Sequence, residues 1–143
     1  MNKIEFFRAT KGEDGKPEAH IETGMPMVLF SEDKNMKLML AYSHLVKEWR
    51  CTELYTGLLL TNGNTKAELF ERIQNQAGYI FESVNHSYDH YWDRMHQIVA
   101  DAYRQLDEAR PSGLFGRHSL SQELIEYITA PTFKEAIRGG KEE

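Results

Sequence analysis

The chain has 143 residues, 41% of them hydrophobic and 27% charged, and a formal net charge of −5 at pH 7. That length supports one domain with its own core, and the balance is that of a globular rather than a disordered protein. An acidic chain without a block of like charge argues against duplex DNA as a partner, since such binding rests on a basic face; the single cysteine, Cys51, excludes an internal disulfide or thiolate zinc finger and suits a reducing compartment.

In chain order, Lys3 to Thr10 reads as a β-strand carrying Ile4, Phe6 and Phe7. The start, MNKIEFFRATK, has no apolar stretch of the kind a secretion signal needs, and no segment approaches the ~18 apolar residues of a membrane span. A cytoplasmic location is expected. Lys11 to Pro17 is a turn with Asp14-Gly15 at its apex, and Glu18 to Thr23 returns as a second strand with His20 on its surface. Gly24-Met25-Pro26 punctuates, and Met27 to Phe30 is short and apolar enough for a third strand.

Ser31 or Asp33 then suits a helix N-cap, with Glu32 and Asp33 at the positive end of the helix. Leu38, Tyr42, Leu45 and Trp49 recur at helical spacing, which leaves His44 exposed. Glu53 to Thr61 fits helix or strand, and the lack of a turn signal before it favours continued helix. Cys51, with no nucleophile signature around it, is expected to be a small buried or half-buried residue.

Asn62-Gly63-Asn64 is a turn, and Thr65 with Glu68 forms a capping box. From there to Arg110, Leu69, Ile73, Ala77, Ile80, Val84, Tyr88, Tyr91, Met95, Ile98, Ala102 and Leu106 keep within about ±50° of one direction. The spacing predicts one long amphipathic helix, or two end to end, with a kink at Gly78. A helix of ~40 residues is ~60 Å long, against ~30 Å for a domain of this size. The excess length suggests self-association.

On the opposite stripe lie Glu82, His86, His90 and Asp93, at spacings of four, four and three. His86 and His90, with Asp93 or Glu82, are the residue types that hold zinc, iron or manganese. The stripe faces away from the apolar side, so a divalent metal there needs a second subunit to cover it.

After Pro111 the sequence PSGLFGRHS is a loop running into a helix start. Arg117, His118 and Ser119, with Arg110 nearby, are candidate contacts for a phosphate, nucleotide or other anion. A short helix is expected from Leu120 to Ile128, capped by Ser119 with Gln122, with Leu120, Leu124 and Ile128 inward. Pro131 ends it, Thr132 and Glu135 cap a last short helix, and Gly139-Gly140 closes that one.

The expected fold is α+β. A small N-terminal antiparallel sheet of two or three strands (1–30) packs on a helical hairpin with a long central helix (31–110), followed by a loop and short helices (111–143), all in one domain. No catalytic motif stands out. The leading expectation is a non-catalytic interaction protein, a small regulator or inhibitor of another protein, self-associated and needing no cofactor. A module for a small anionic or nucleotide ligand at 113–119 and a metal-dependent enzyme at a subunit interface are the alternatives.

Overall fold

A computed structural model describes residues 3–86, 90–109 and 120–139. The order of elements is β1 (Ile4–Lys11), β2 (Pro17–Ser31), β3 (Met36–Leu45), β4 (Glu48–Glu53), β5 (Leu59–Gly63), α1 (Lys66–His86), α2 (Tyr91–Ala109), α3 (Gln122–Thr129) and α4 (Phe133–Ile137). The α+β class holds. The sheet, however, has five antiparallel strands in sequential order, and the segment expected to be the first arm of a helical hairpin supplies three of them.

Two physical reasons account for that correction. First, β3 is the middle strand, and Met36, Leu38, Met39, Leu40, Ala41 and Ser43 are all buried. A strand buried on both faces loses its alternation of polar and apolar residues, so the spacing of Leu38, Tyr42 and Leu45 imitates a helix. Second, the turn between β3 and β4 is Val46-Lys47, with Leu45 paired to Glu48. Lys47 takes φ 72° there without being glycine or asparagine, so the reversal carries no turn residue to read. The supposed helix start, Glu32 to Asn35, is the turn from β2 to β3: the Asn35 amide donates to the Glu32 carbonyl at 3.3 Å, and Asn35 has φ 51°.

β2 is a single strand of 15 residues that runs through Gly24-Met25-Pro26. Its first half pairs with β1 from Ile4–Gly24 to Lys11–Pro17, and its second half pairs with β3 from Met25–Tyr42 to Ser31–Met36. Gly24 sits at the changeover. A Cβ there would lie 2.6 Å from the Tyr42 carbonyl oxygen, so the close approach of backbone to backbone admits only glycine. The sheet also curls back on itself, since the Ala9 amide of β1 donates to the Gly57 carbonyl in the β4–β5 connection at 2.7 Å.

The long helical segment is described as two helices, with residues 87–89 between them outside the described set. The Thr65 hydroxyl accepts from the Glu68 amide at 3.1 Å, as the capping box requires. α1 then passes through Gly78 without interruption, and a Cβ at Gly78 would meet nothing within 4 Å. The helix is thus not broken at that position. α1 buries Leu69, Ile73, Ala77, Phe81 and Val84 and lies against β4 and β5; α2 buries His96, Val99 and Tyr103 and lies against β1 and β2. At 1.5 Å per residue the two helices are about 31 and 28 Å long, close to the breadth of the domain.

α3 begins at Gln122, capped by Ser121, whose hydroxyl accepts from the Leu124 amide at 3.2 Å. The expected cap, Ser119, lies outside the described residues. Leu120, Leu124 and Ile128 are buried as expected. α4 is capped by Thr132, which accepts from the Glu135 amide at 3.1 Å, and Gly139 follows it at φ 68°.

Candidate functional site

The β4–β5 connection, Leu54 to Leu58, is the most polar part of the interior. Its amides and hydroxyls need acceptors, because a buried donor left without one costs about 1–3 kcal/mol. Glu53 supplies them. Its carboxylate accepts from the Tyr55 amide (2.6 Å), the Thr56 amide (2.8 Å), the Thr56 hydroxyl (2.6 Å) and the Tyr127 hydroxyl of α3 (2.6 Å). Burial pushes the Glu53 carboxyl above its ordinary range, against the downward pull of those donors. The same burial, with the Glu53 charge nearby, raises the Cys51 thiol to about 12 and drives Tyr127 well above the usual phenol range. Cys51 is thus a packed, unreactive thiol. Gly57 turns the chain at φ 73°, and a Cβ there would lie 2.8 Å from Val99 and 3.0 Å from the Ala9 nitrogen, so α2 and β1 both close on this glycine.

Tyr55 links the connection to the helices. Its hydroxyl donates to the Ala130 carbonyl at 2.7 Å. Its ring stacks on the imidazole of His96 at 3.7 Å between centroids with 5° between planes, and lies 5.5 Å from the ring of Phe133. His96 Nδ1 is 2.8 Å from the Tyr55 carbonyl oxygen. A carbonyl only accepts, so Nδ1 carries the proton. Burial also lowers the pKa of His96 below its ordinary value, a larger effect than the opposing pull of the Tyr55 carbonyl and of Asp93. Near neutral pH the ring is therefore uncharged, with Nδ1 protonated and the lone pair on Nε2.

That lone pair has somewhere to go. His96 is only 6% exposed, yet it lines a cavity of about 530 Å³ between α2 and α3, and among the described residues Nε2 has no hydrogen-bond partner. The volume is in the range of small-molecule sites. From the His96 end the cavity runs past Ala100 and Ile128 to Asp107 and Glu108, with Arg104 alongside. Arg104 is held by the carboxylate of Asp101, 3.2 Å away.

The residues singled out from the sequence fall elsewhere. Glu82, His86 and His90 are exposed, as expected of that stripe. They do not converge: Glu82 pairs with Lys34 at 3.0 Å and with His86, and hydrogen bonds to both hold its carboxyl below the ordinary range. Asp93 departs from the stripe. It is half-buried, with one oxygen 3.3 Å from His90 Nδ1 and the other accepting from the Phe133 amide at the start of α4 at 2.8 Å. Among the described residues no three of His, Cys, Asp and Glu come together as a metal site requires. Arg110, Arg117, His118 and Ser119 lie outside the described residues. No described helix is long and apolar enough to cross a membrane.

Sequence reasoning missed His96. The expected stripe ran through Met95, Ile98 and Ala102, while the buried residues of α2 are His96, Val99 and Tyr103. The buried face is one residue further round, about 100°, because the phase set by α1 does not carry into α2. The spacing of His96, Val99 and Tyr103 was a usable signal once α2 is read on its own. No family model, no curated protein and no solved structure matches the chain, so a functional reading has only the geometry of the chain itself to stand on.

Proposed function

We propose that the protein is a non-catalytic binding module that takes a small molecule into the groove between α2 and α3. The observation that carries this reading is His96, a buried imidazole whose tautomer is set by the Tyr55 carbonyl and whose Nε2 opens onto the cavity. Nε2 is not one of the buried unpaired atoms, so water reaches it, and a ligand's donor can take that water's place. Binding is favoured over catalysis because the cavity's hydroxyls are committed: Thr129 donates to the Ile125 carbonyl at 2.7 Å, and burial raises the Tyr103 phenol far above neutrality. A thermal-shift screen of small polar compounds against the intact chain and His96→Gln tests the reading. A true ligand present at 100 times its Kd adds about 2.7 kcal/mol to the stability of the intact chain and much less to the variant. A ligand that stabilises both equally does not occupy this site.

A protein partner is the second reading, with the chain as a regulator or inhibitor. It is supported by large apolar side chains held in solvent: Phe30 at 69% exposure, Tyr79 at 70% and Val46 at 89%. Aromatic residues so exposed are typical of interfaces. Capture of a protein by the intact chain, lost on Phe30→Ser or Tyr79→Ser, supports this reading. Unchanged capture by both variants counts against it.

A further inference from the structure

Lys66 opens α1, and its ammonium stands over three aromatic rings at once. Its Nζ is 5.3 Å from the ring centroid of Tyr42, 5.6 Å from that of Phe70 and 5.8 Å from that of Trp49. The fold brings these rings together from three elements. Phe70 follows Lys66 by four residues in α1 and so shares its helix face. Tyr42 on β3 and Trp49 on β4 are diagonal neighbours on one face of the sheet, because Trp49 pairs with His44, two residues beyond Tyr42. The Tyr42 and Phe70 rings meet edge to face, 5.2 Å apart at 88°, and the Trp49 indole is tilted 45° to Tyr42. His44 stacks on that indole at 4.4 Å between centroids. The three rings are half-buried and Lys66 is exposed, so this aromatic box opens to solvent on the lysine side.

We propose that this box is a site for a quaternary ammonium group, as carried by choline-type molecules or by a trimethylated lysine side chain, and that Lys66 is the plug such a ligand displaces. A cation within about 6 Å of a ring face is attracted by the charge distribution of the ring, and several rings together suit a quaternary ammonium. The spacing points to the methylated form. Heavy atoms in ordinary contact lie about 3.5–4.0 Å apart, and the Lys66 nitrogen stands well beyond that from all three rings. A methyl carbon on a nitrogen so placed projects about 1.5 Å further and comes to contact distance. The box is loose around a bare ammonium and fits a trimethylated one. A primary ammonium is strongly hydrated and has N–H groups to satisfy; a trimethylammonium has none, and its methyls gain by leaving water. Lys66 is also poorly placed, since a cation in the first turn of a helix opposes the helix dipole, and among the described residues no carboxylate pairs with it. The chain's net charge of −5 adds a field that draws cations in. The box is formed by β3, β4 and α1 and owes nothing to the groove between α2 and α3.

Choline, acetyl-trimethyllysine amide and the uncharged tert-butyl analogue of choline separate the possibilities when titrated into the intact chain, Lys66→Ala and Phe70→Leu. The Trp49 indole N–H is followed by NMR and assigned with Trp92→Phe. At least one trimethylammonium compound is expected to move the Trp49 signal saturably, and the tighter of the two identifies the source of the group. The tert-butyl analogue has the same shape without the charge and is expected to bind at least about tenfold more weakly. Lys66→Ala keeps a good helix former at the start of α1, removes the tethered competitor and is expected to tighten binding several-fold. Phe70→Leu keeps apolar bulk, loses one ring face and is expected to weaken binding at least about threefold. Equal affinity for the tert-butyl analogue would make the box a plain apolar pocket and overturn the proposal. So would a Trp49 signal that neither trimethylammonium compound moves in Lys66→Ala, an affinity that Lys66→Ala does not raise, or one that Phe70→Leu does not lower.

Discussion

A glutamate and a histidine meet helical neighbours in two parts of this molecule, with opposite consequences. On α1, Glu82 and His86 lie one turn apart on an exposed stripe and pair with each other, and Glu82 also pairs with Lys34. In the interior, Glu53 and His96 bracket the β4–β5 connection, and each is committed to backbone groups. Solvent screens the first pair, so its interactions change little when one partner is removed. The second pair holds a buried turn together, and water cannot replace what it supplies. Richness in ionisable residues is therefore a poor guide to a site here; the guide is which ionisable groups the fold has taken out of water and what it aims them at.

The sharpest way to break the comparison is to remove each carboxylate in turn. Glu53→Ala strands two amides and two hydroxyls and is expected to lower stability in urea by about 3–5 kcal/mol, since each buried donor without an acceptor costs about 1–3 kcal/mol and some recover water. Glu82→Gln is expected to leave the urea midpoint within measurement error. Equal losses from the two variants would erase the distinction between the regions.

Removing His96 ranks next. His96→Ala loses the stack on Tyr55 and the hydrogen bond to its carbonyl, for an expected cost of about 2–4 kcal/mol, whereas His86→Ala is expected to fall within the scatter of surface substitutions. Tyr127→Phe removes one of the donors to Glu53 and leaves the rest in place, so a smaller loss of about 1–2 kcal/mol is expected.

Acidity sharpens the contrast further. The folded-state pKa of His96 lies below its unfolded value of about 6.5, so the folded protein binds the proton less readily than the unfolded chain. His96 contributes its full stability above that value, and the contribution is lost as the pH falls through the lowered folded pKa. Glu53 runs the other way. Its raised folded-state pKa gives a contribution present below the unfolded carboxyl value of about 4.3 and lost as the pH rises through the folded one. Urea midpoints from pH 7 downward are expected to fall in the window just under 6.5, and His96→Gln is expected to flatten that fall; the same slope in both proteins would place the titration elsewhere. The smallest expected effect is at Cys51, whose thiol burial raises to about 12. Alkylating reagents are expected to modify it only when the protein unfolds, and rapid labelling of the native protein would contradict its place in the core.

The parts of the fold that were legible from residues alone are those with local instructions. Thr65 and Thr132 cap helices as their capping boxes imply, and α1 buries Leu69, Ile73, Ala77 and Val84 at the spacing read from the sequence. The segment from Ser31 to Gly63 was not legible, because its instructions are tertiary. β3 is covered on both faces, its exit turn is Val46-Lys47, and Leu54 to Thr56 are buried in a turn that Glu53 and Gly57 make possible. His96 escaped notice for a related reason. Its place on the buried face depends on how α2 settles against β1 and β2, a rotation that the apolar spacing of α1 does not determine. Asp93 shows the same limit, since its carboxylate serves the start of α4, 40 residues away in sequence.

The state of the His96 ring in the ligand-free protein tests the central claim most directly. Nitrogen-15 NMR of the histidine imidazoles at pH 7 to 8 distinguishes a protonated from an unprotonated ring nitrogen. A proton on Nδ1, a bare Nε2 and no titration above about 6.5 are the expected results. A proton on Nε2, or a fully charged ring at pH 7, would contradict the orientation given to His96 and remove the acceptor on which the proposed ligand site depends.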